Sequence, residues 1–244
     1  MPYNRSFIDI SLNRKTVYVY SVRKLLQKAL DKNLPEFNGI LLDLGCGEMP
    51  YREYILNNNK LITKYIGVDV NFNEDHKTVK PDIFWDGKVI PVSDKSVDTI
   101  IATEFFEHIY NIEIVLKEIY RVLKKGGIFY FTVPFIWPLH ETPYDEYRYT
   151  PFSLTRHLNK SGFKKITIKV LGNYYASLAQ MLCIWIENVK NNTRSKTKRF
   201  ILEIFEKCVL FPIIKFLLTK DKRINTGDYG ENTMPTGFYG LIRK

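Results

Sequence analysis

The sequence predicts an α/β fold built on a parallel sheet, and three observations carry that prediction. Short apolar runs recur along the chain and alternate with stretches that have the helical period. The first run, "GILLDL", leads into Gly45-Cys46-Gly47, the kind of turn that follows the first strand of nucleotide-binding sheets. A chain of 244 residues that is 45% hydrophobic can also bury a substantial core.

In order, "TVYVYSVRKLLQKAL" reads as an amphipathic helix over 16–30, despite the β-like Val17-Tyr18-Val19-Tyr20. "GILLDL" (39–44) is a short buried strand. Pro50 suits the first position of the next helix, about 51–57, because its fixed φ needs no N–H there. "KYIGVDV" (64–70) and "DIFW" (82–85) are the second and third strands, and a fourth falls at 98–102. "IEIVLKEIYRVLKKGG" is an amphipathic helix with Gly126-Gly127 as its stop. "GIFYFTVP" (127–134) is the fifth strand. Thr150-Pro151 then caps a helix that Gly162 ends. "KKITIKVLG" and "GFYGLIRK" are the sixth and seventh strands. About sixty residues between them carry two apolar helices, 173–191 and 196–219.

No Ser/Gly/Pro-rich linker and no internal repeat divides the chain. A single domain over 1–244 is therefore expected, with an N-terminal helical segment (1–38), a core (39–171), a helical insertion (172–225) and a closing strand (226–244). The net charge of +10 is uneven: residues 151–244 hold 17 Lys/Arg against 6 Asp/Glu, residues 1–150 hold 19 against 20. A basic surface of this kind meets nucleic acid, an anionic membrane or a phosphorylated substrate, or is simply solvated. Cys46, Cys183 and Cys208 lie far apart with no CxxC pair, so neither a zinc site nor a disulfide framework is suggested, and no metal is expected. "MPYNRSFIDISLNRK" lacks the apolar core of a signal peptide, so a cytoplasmic protein is expected.

The turn itself narrows the ligand. Gly45 and Gly47 permit a tight turn and close approach of a ligand to the backbone. A dinucleotide site would add a third glycine, to bring a helix N-terminus against the pyrophosphate. Here the chain reads Glu48-Met49-Pro50. A ligand with adenosine but no phosphates, such as S-adenosylmethionine (SAM), tolerates that change. Asp69 ends the second strand, where a carboxylate can accept both ribose hydroxyls. Asp86 follows the third strand and could accept from an adenine amino group, with Asp82 and Asp94 as competitors. Phe84, Trp85 and Ile90 are apolar candidates for the adenine faces. Asp43 braces the turn or contacts the ligand, and Cys46 reads as packing.

"LLDLGCGEMPYREY", "YIGVDV", "WDGKVIPVSDKSVDTIIATEFFEHI" and "IYRVLKKGGIFYFTVPF" resemble, in order, the motifs of class I SAM-dependent methyltransferases, with the type 11 methyltransferase-like branch the most similar group. The resemblance covers about 39–171 and the last strand. It implies a Rossmann-like seven-stranded, mostly parallel sheet with the last strand antiparallel, helices on both faces and, here, an extra C-terminal helical insertion. It implies SAM contacts at Asp43, Gly45, Gly47, Asp69 and Asp86, and near Glu104. Glu107-His108 is similar to the family's "EH" after strand four, with His108 read as structural. The GCGxxPY variant resembles a branch associated with cell-surface polysaccharide gene clusters.

"PFIWPLHETPYDEYRYTPFSL" follows strand five, and its three prolines before Thr150 stiffen a lid. It resembles the HExPYDYxRYT segment of the same branch. A hydroxyl acceptor must lose a proton, and His140 is the first candidate to take it, followed by Asp145 and Glu141. Asp145 and Arg148, three residues apart, can instead form a salt bridge that holds the lid. Tyr144 and Tyr147 suit packing or substrate stacking. Further on, "CVLFPII" between basic flanks suits an interfacial helix, so 196–223 is expected to face an anionic membrane, a second subunit or the domain's own core.

The resulting expectation is a SAM-dependent methyltransferase, O-directed, acting on a glycan or lipid-linked sugar. A small metabolite, quinone or RNA acceptor stays open, although no aromatics are interleaved with the basic tail as nucleic-acid stacking needs. So does a non-catalytic SAM-binding regulatory subunit. The absent third glycine argues against a nicotinamide oxidoreductase.

Overall fold

The computed structural model describes residues 7–13, 16–70, 79–221 and 227–244. Seven strands form one sheet in the order β3-β2-β1-β4-β5-β7-β6. These are β1 (Gly39–Leu44), β2 (Ile62–Val70), β3 (Ile83–Trp85), β4 (Val97–Thr103), β5 (Leu123–Pro134), β6 (Lys165–Leu171) and β7 (Gly237–Arg243). β1 to β5 pair in parallel, whereas β7 runs antiparallel to both β5 and β6. The chain order reverses between β1 and β4, so a ligand crevice is expected beyond their carboxyl ends.

The pleat sends neighbouring residues to opposite faces. Leu42, Ile100, Phe129 and Phe131 face a core completed by α3 (Ile112–Val122) and α4 (Pro151–Lys160). Leu41, Ile101, Ile128 and Tyr130 face the other, completed by α1 (Val17–Asn33) and α2 (Arg52–Asn58). In α3 the buried residues Ile112, Val115, Leu116, Ile119 and Val122 fall at helical spacing, and Asn111 caps the first turn by accepting the Ile114 N–H. Burying each such side chain contributes about 1.5–3 kcal/mol.

Two boundaries differ from expectation. α3 stops at Val122, not at Gly126-Gly127, because Leu123 already pairs with Val97 and the Gly126 N–H donates to the Lys244 carbonyl. Sheet pairing thus claims four residues of helix-like sequence. α2 begins at Arg52, not Pro50, because Met49 turns with φ +52 and its N–H donates to the Cys46 carbonyl.

The insertion comprises α5 (Tyr174–Asn192), α6 (Lys196–Phe205), one π-helical turn (Glu206–Leu210) and α7 (Phe211–Asp221). α5 packs on α1 and α7 packs on α5 around Val17, Ala179, Cys183, Ile186 and Ile214, so part of the insertion is ordinary core. The π turn begins at Glu206, whose buried carboxylate meets Lys190 Nζ at 3.1 Å. α6 has no buried residue, and no helix among the described residues is long and apolar enough to cross a membrane. Lys222 and Arg223, part of the basic flank read from the sequence, lie outside the described residues.

Candidate active site

The turn after β1 is shaped by what a side chain would strike. A Cβ at Gly45 would fall 2.2 Å from the Phe105 ring, at φ +72. Gly47, at φ +50, has nothing within 4 Å of its Cβ position, so its backbone is open to a ligand. Before Pro50, which takes the place of the missing third glycine in the G-x-G-x-x-G spacing, comes Met49. It is buried, and its sulfur lies beside Gly67 of β2, where a Cβ would come within 2.5 Å of it. Cys46 is buried beside it, and burial pushes its thiol up, away from nucleophile chemistry.

Asp69 closes the turn from β2. Its Oδ2 accepts the Gly47 N–H at 2.6 Å and its Oδ1 accepts the Val70 N–H at 2.7 Å. Each oxygen retains a lone pair for a ribose hydroxyl, so these residues fit an adenosine-bearing ligand. Asp43 is buried beneath the turn and accepts a short hydrogen bond from the Tyr65 hydroxyl; burial raises its carboxyl to about 7. That bond ties the end of β1 to β2.

The three acids near β3 separate. Asp82 is occupied, accepting from the Gly67 N–H and from Arg52. Asp94 pairs with Arg121. Asp86 is exposed and accepts the Lys88 and Val89 N–H groups on one oxygen, which holds its carboxyl low. Among the apolar candidates Phe84 is exposed, whereas Trp85 and Ile90 belong to the core.

After β4, Glu104 turns with φ +49 and donates its N–H to Thr132. Its carboxyl is buried and raised to about 7 by that burial, and it lines a cleft with Leu26, Pro134, Ile136, Trp137 and Thr236. The next turn, Phe106–His108, docks the lid: the Glu107 carbonyl accepts the Glu146 and Tyr147 N–H groups at 2.8 and 3.1 Å.

Within the lid, Arg148 grips Asp145 with two bonds, at 2.6 and 2.8 Å, and its guanidinium holds that carboxyl down to about 2. Asp145 is thereby placed to hold a partner rather than to take a proton. That partner is His140, whose N–H donates to Asp145 at 3.1 Å and whose Nδ1 lies 3.2 Å from the same carboxylate. Glu141 is largely exposed, its carboxylate 3.8 Å from His108 Nε2. Tyr144 and Tyr147 are exposed as well, and the Tyr147 hydroxyl donates to the Tyr110 carbonyl. Thr150 caps α4 in a reciprocal pair with Ser153.

The lid meets the turn after β4 in an arrangement that sequence spacing could not display. The rings of His108 and His140 stand edge to face, 4.8 Å apart, over the buried carboxyl of Glu107. Only the "EH" pair hinted at this cluster, and nothing local tied it to a residue 32 positions on.

Residues 42–131, from β1 to β5, match a family described as a methyltransferase domain. A 121-residue stretch is 31% identical to an uncharacterized protein of Methanocaldococcus jannaschii, covering 48% of this chain and 43% of that one. The chain therefore matches less than half the length of that relative. Among solved structures it is similar to a SAM-dependent methyltransferase from Archaeoglobus fulgidus, with 20% identity, 91% of this chain and 94% of that one covered, and a TM-score of 0.55. It is also similar to phosphoethanolamine N-methyltransferase 2 of Haemonchus contortus in complex with S-adenosyl-L-methionine, with 17% identity, 98% and 59% coverage, and a TM-score of 0.52. At these identities the two structures speak for the fold. The match over β1 to β5 marks residues 42–131 as similar to a methyltransferase domain, and the sheet order with its antiparallel β7 is the fold shared with these SAM-dependent methyltransferases.

Proposed function

We propose that this chain transfers the methyl group of SAM to a hydroxyl of a glycan or lipid-linked sugar. The observation that carries the reading is the Gly47–Asp69 clasp at the β1/β4 switch point, together with a lid that brings His140 to His108 in the turn after β4. When bound, SAM supplies an electrophilic methyl on a sulfonium, so the protein's task is alignment and disposal of one proton. Asp69 and the glycine turn hold the nucleoside. Arg148 and Asp145 fix the lid and orient His140. An oxygen acceptor is favoured because the imidazoles under the lid present nitrogen lone pairs, the chemistry that a hydroxyl needs and an already neutral amine does not. Mass spectrometry of cell-surface glycans and lipids, with and without the gene, tests the acceptor. SAM binding without turnover on any such extract would reduce the chain to a SAM-binding subunit.

Support for a lipid-linked acceptor comes from α6 and the start of α7. Phe200, Ile201, Ile204, Val209, Ile213 and Phe216 are exposed there, amid Lys196, Lys198, Arg199 and Lys207. An apolar row with cationic neighbours suits the headgroup region of an anionic membrane. Sedimentation with anionic vesicles should carry the protein down, less so as salt rises. Equal absence of binding to anionic and neutral vesicles removes the membrane from this reading. A salt-independent dimer would assign the row to a second copy.

A further inference from the structure

Glu107, His108 and His140 each offer one ligand atom, and these atoms lie within 4.8 Å of one another. The hydrogen bonds on the far side of the rings decide which atoms are offered. Nδ1 of His108 lies 3.2 Å from the Tyr144 carbonyl. Nδ1 of His140 lies 3.2 Å from the Pro138 carbonyl and 3.2 Å from the Asp145 carboxylate. Carbonyls and carboxylates only accept, so Nδ1 carries the hydrogen on both rings, and each neutral imidazole keeps its lone pair on Nε2. Metal-binding histidines are held in this way, with the second nitrogen donating to a carboxylate or carbonyl.

The carboxylate completes the set. Glu107 has a fully buried side chain, and neither oxygen has a hydrogen-bond partner among the described residues. A buried carboxylate in that condition is strongly disfavoured unless a cation meets it. Glu104 also carries a buried oxygen with no hydrogen-bond partner among the described residues. His108 Nε2 stands 3.8 Å from Glu107 Oε1, too far for a hydrogen bond. Two ligands each about 2.1 Å from one ion are roughly 3.4 Å apart at the tetrahedral angle and about 4.2 Å apart at most, so this pair can share an ion, whereas the three atoms, which lie within 4.8 Å of one another, must draw together as it binds. Glu141 approaches the same Nε2 from the exposed side, also at 3.8 Å.

We propose that Glu107, His108 and His140 bind a divalent first-row transition ion whose remaining positions receive the acceptor oxygen. Two imidazoles and one carboxylate suit Zn²⁺, Mn²⁺, Fe²⁺ or Co²⁺ better than the all-oxygen preferences of Ca²⁺ and Mg²⁺. The role of the ion, though not its binding, rests on the hydroxyl-methylation reading. The ion lowers the acceptor's pKa, and the hydroxyl proton passes to the exposed carboxylate of Glu141. The O–CH₃ bond forms as the CH₃–S⁺ bond breaks, releasing S-adenosylhomocysteine. The His140 Nε2 lone pair takes a proton or an ion, not both, and the convergence of three donors assigns it the ion.

The test is titration of tag-free, chelator-stripped full-length chain with Co²⁺, followed by visible absorption and calorimetry, then with Zn²⁺ and Mn²⁺. Saturable binding of one equivalent is expected. Glu107→Gln and His140→Ala should each weaken it by at least about tenfold, and Asp145→Asn by about 10–100-fold through the His140 ring. SAM affinity, measured on the same samples, should stay within about twofold of wild type, which also reports that the variants fold; His108→Gln replaces any variant that does not. No saturable binding of the three ions at millimolar concentration overturns the proposal, as does binding that Glu107→Gln and His140→Ala leave unchanged. Methyl transfer that survives stripping overturns the ion's role while leaving the proposed function standing.

Discussion

At the end of β2 both oxygens of Asp69 accept backbone N–H groups, from Gly47 at 2.6 Å and from Val70 at 2.7 Å. At the turn after β4 the two oxygens of Glu107 accept none among the described residues. The proposed nucleoside end is therefore organised by the chain's own backbone, with donors fixed in advance of any ligand. The proposed acceptor end is assembled from two separate segments, 104–108 and 134–150, and its charges face one another across the contact. Perturbations at the first end should act through backbone geometry, and those at the second through charge and the seating of the lid.

The largest effect expected is that of Gly45→Ala. The added methyl would meet Phe105 at 2.2 Å in a backbone with φ +72, and overpacking with left-handed strain costs roughly 3 kcal/mol or more. Gly47→Ala adds only the strain, about 1 kcal/mol, because nothing lies within 4 Å of that Cβ. Urea unfolding of the two variants measures the gap, and equal losses would break the claim that geometry rules this end.

Among the described residues, Asp43 is the carboxylate at the proposed nucleoside end that burial governs. Its folded value is raised to about 7, whereas the unfolded chain titrates near 3.9. From about pH 4 to 7 the unfolded state releases this proton while the folded state keeps it. The associated stability is thus fully present below pH 4 and lost as pH rises through 7. Asp43→Asn keeps an acceptor for the Tyr65 hydroxyl and should flatten that decline, a gain of a few kcal/mol at most near pH 8. Unfolding at pH 5 and pH 8 checks the sign; a variant with the wild-type slope would show that the carboxyl is not buried as described.

Asp69→Ala should weaken SAM binding by about 1.5–3 kcal/mol, the contribution of a charge-assisted hydrogen bond, and should also release the Gly47 N–H. Calorimetry reads it, and unchanged affinity would remove Asp69 from the site. The smallest effect belongs to the lid's hinge: Thr150→Ala deletes the α4 cap at about 1 kcal/mol, visible as a modest fall in Tm with SAM affinity intact.

Much of the nucleoside end is legible in the sequence because its determinants are local. Gly45, Gly47 and Asp69 sit at strand ends that apolar runs announce, and Thr150-Pro151 announces a cap. What stayed hidden depends on contacts between distant segments. Leu123 leaves α3 early because Val97 pairs with it, and Gly126 is held by Lys244. Met49 fits into the turn because Gly67, eighteen residues on, leaves room for its sulfur. His140 meets His108 only through the docking of the lid on the Glu107 carbonyl. Helical period announces the insertion's helices, but not that α5 packs on α1 and α7 on α5 while α6 stays outside.

The position of β7 bears on how the chain can be made. β6 pairs in the sheet with β7 alone, and β7 lies between it and β5 although the whole insertion separates β6 from β7 in sequence. During synthesis this edge of β5, with its buried Phe129, Tyr130 and Phe131, therefore has no permanent neighbour until β7 leaves the ribosome. For that interval an apolar parallel sheet carries an open edge, the condition under which nascent chains aggregate or engage chaperones. Slowing translation within 172–236 should lengthen that exposure, and yield of native protein should then depend on chaperone supply more than on the stability of the finished fold.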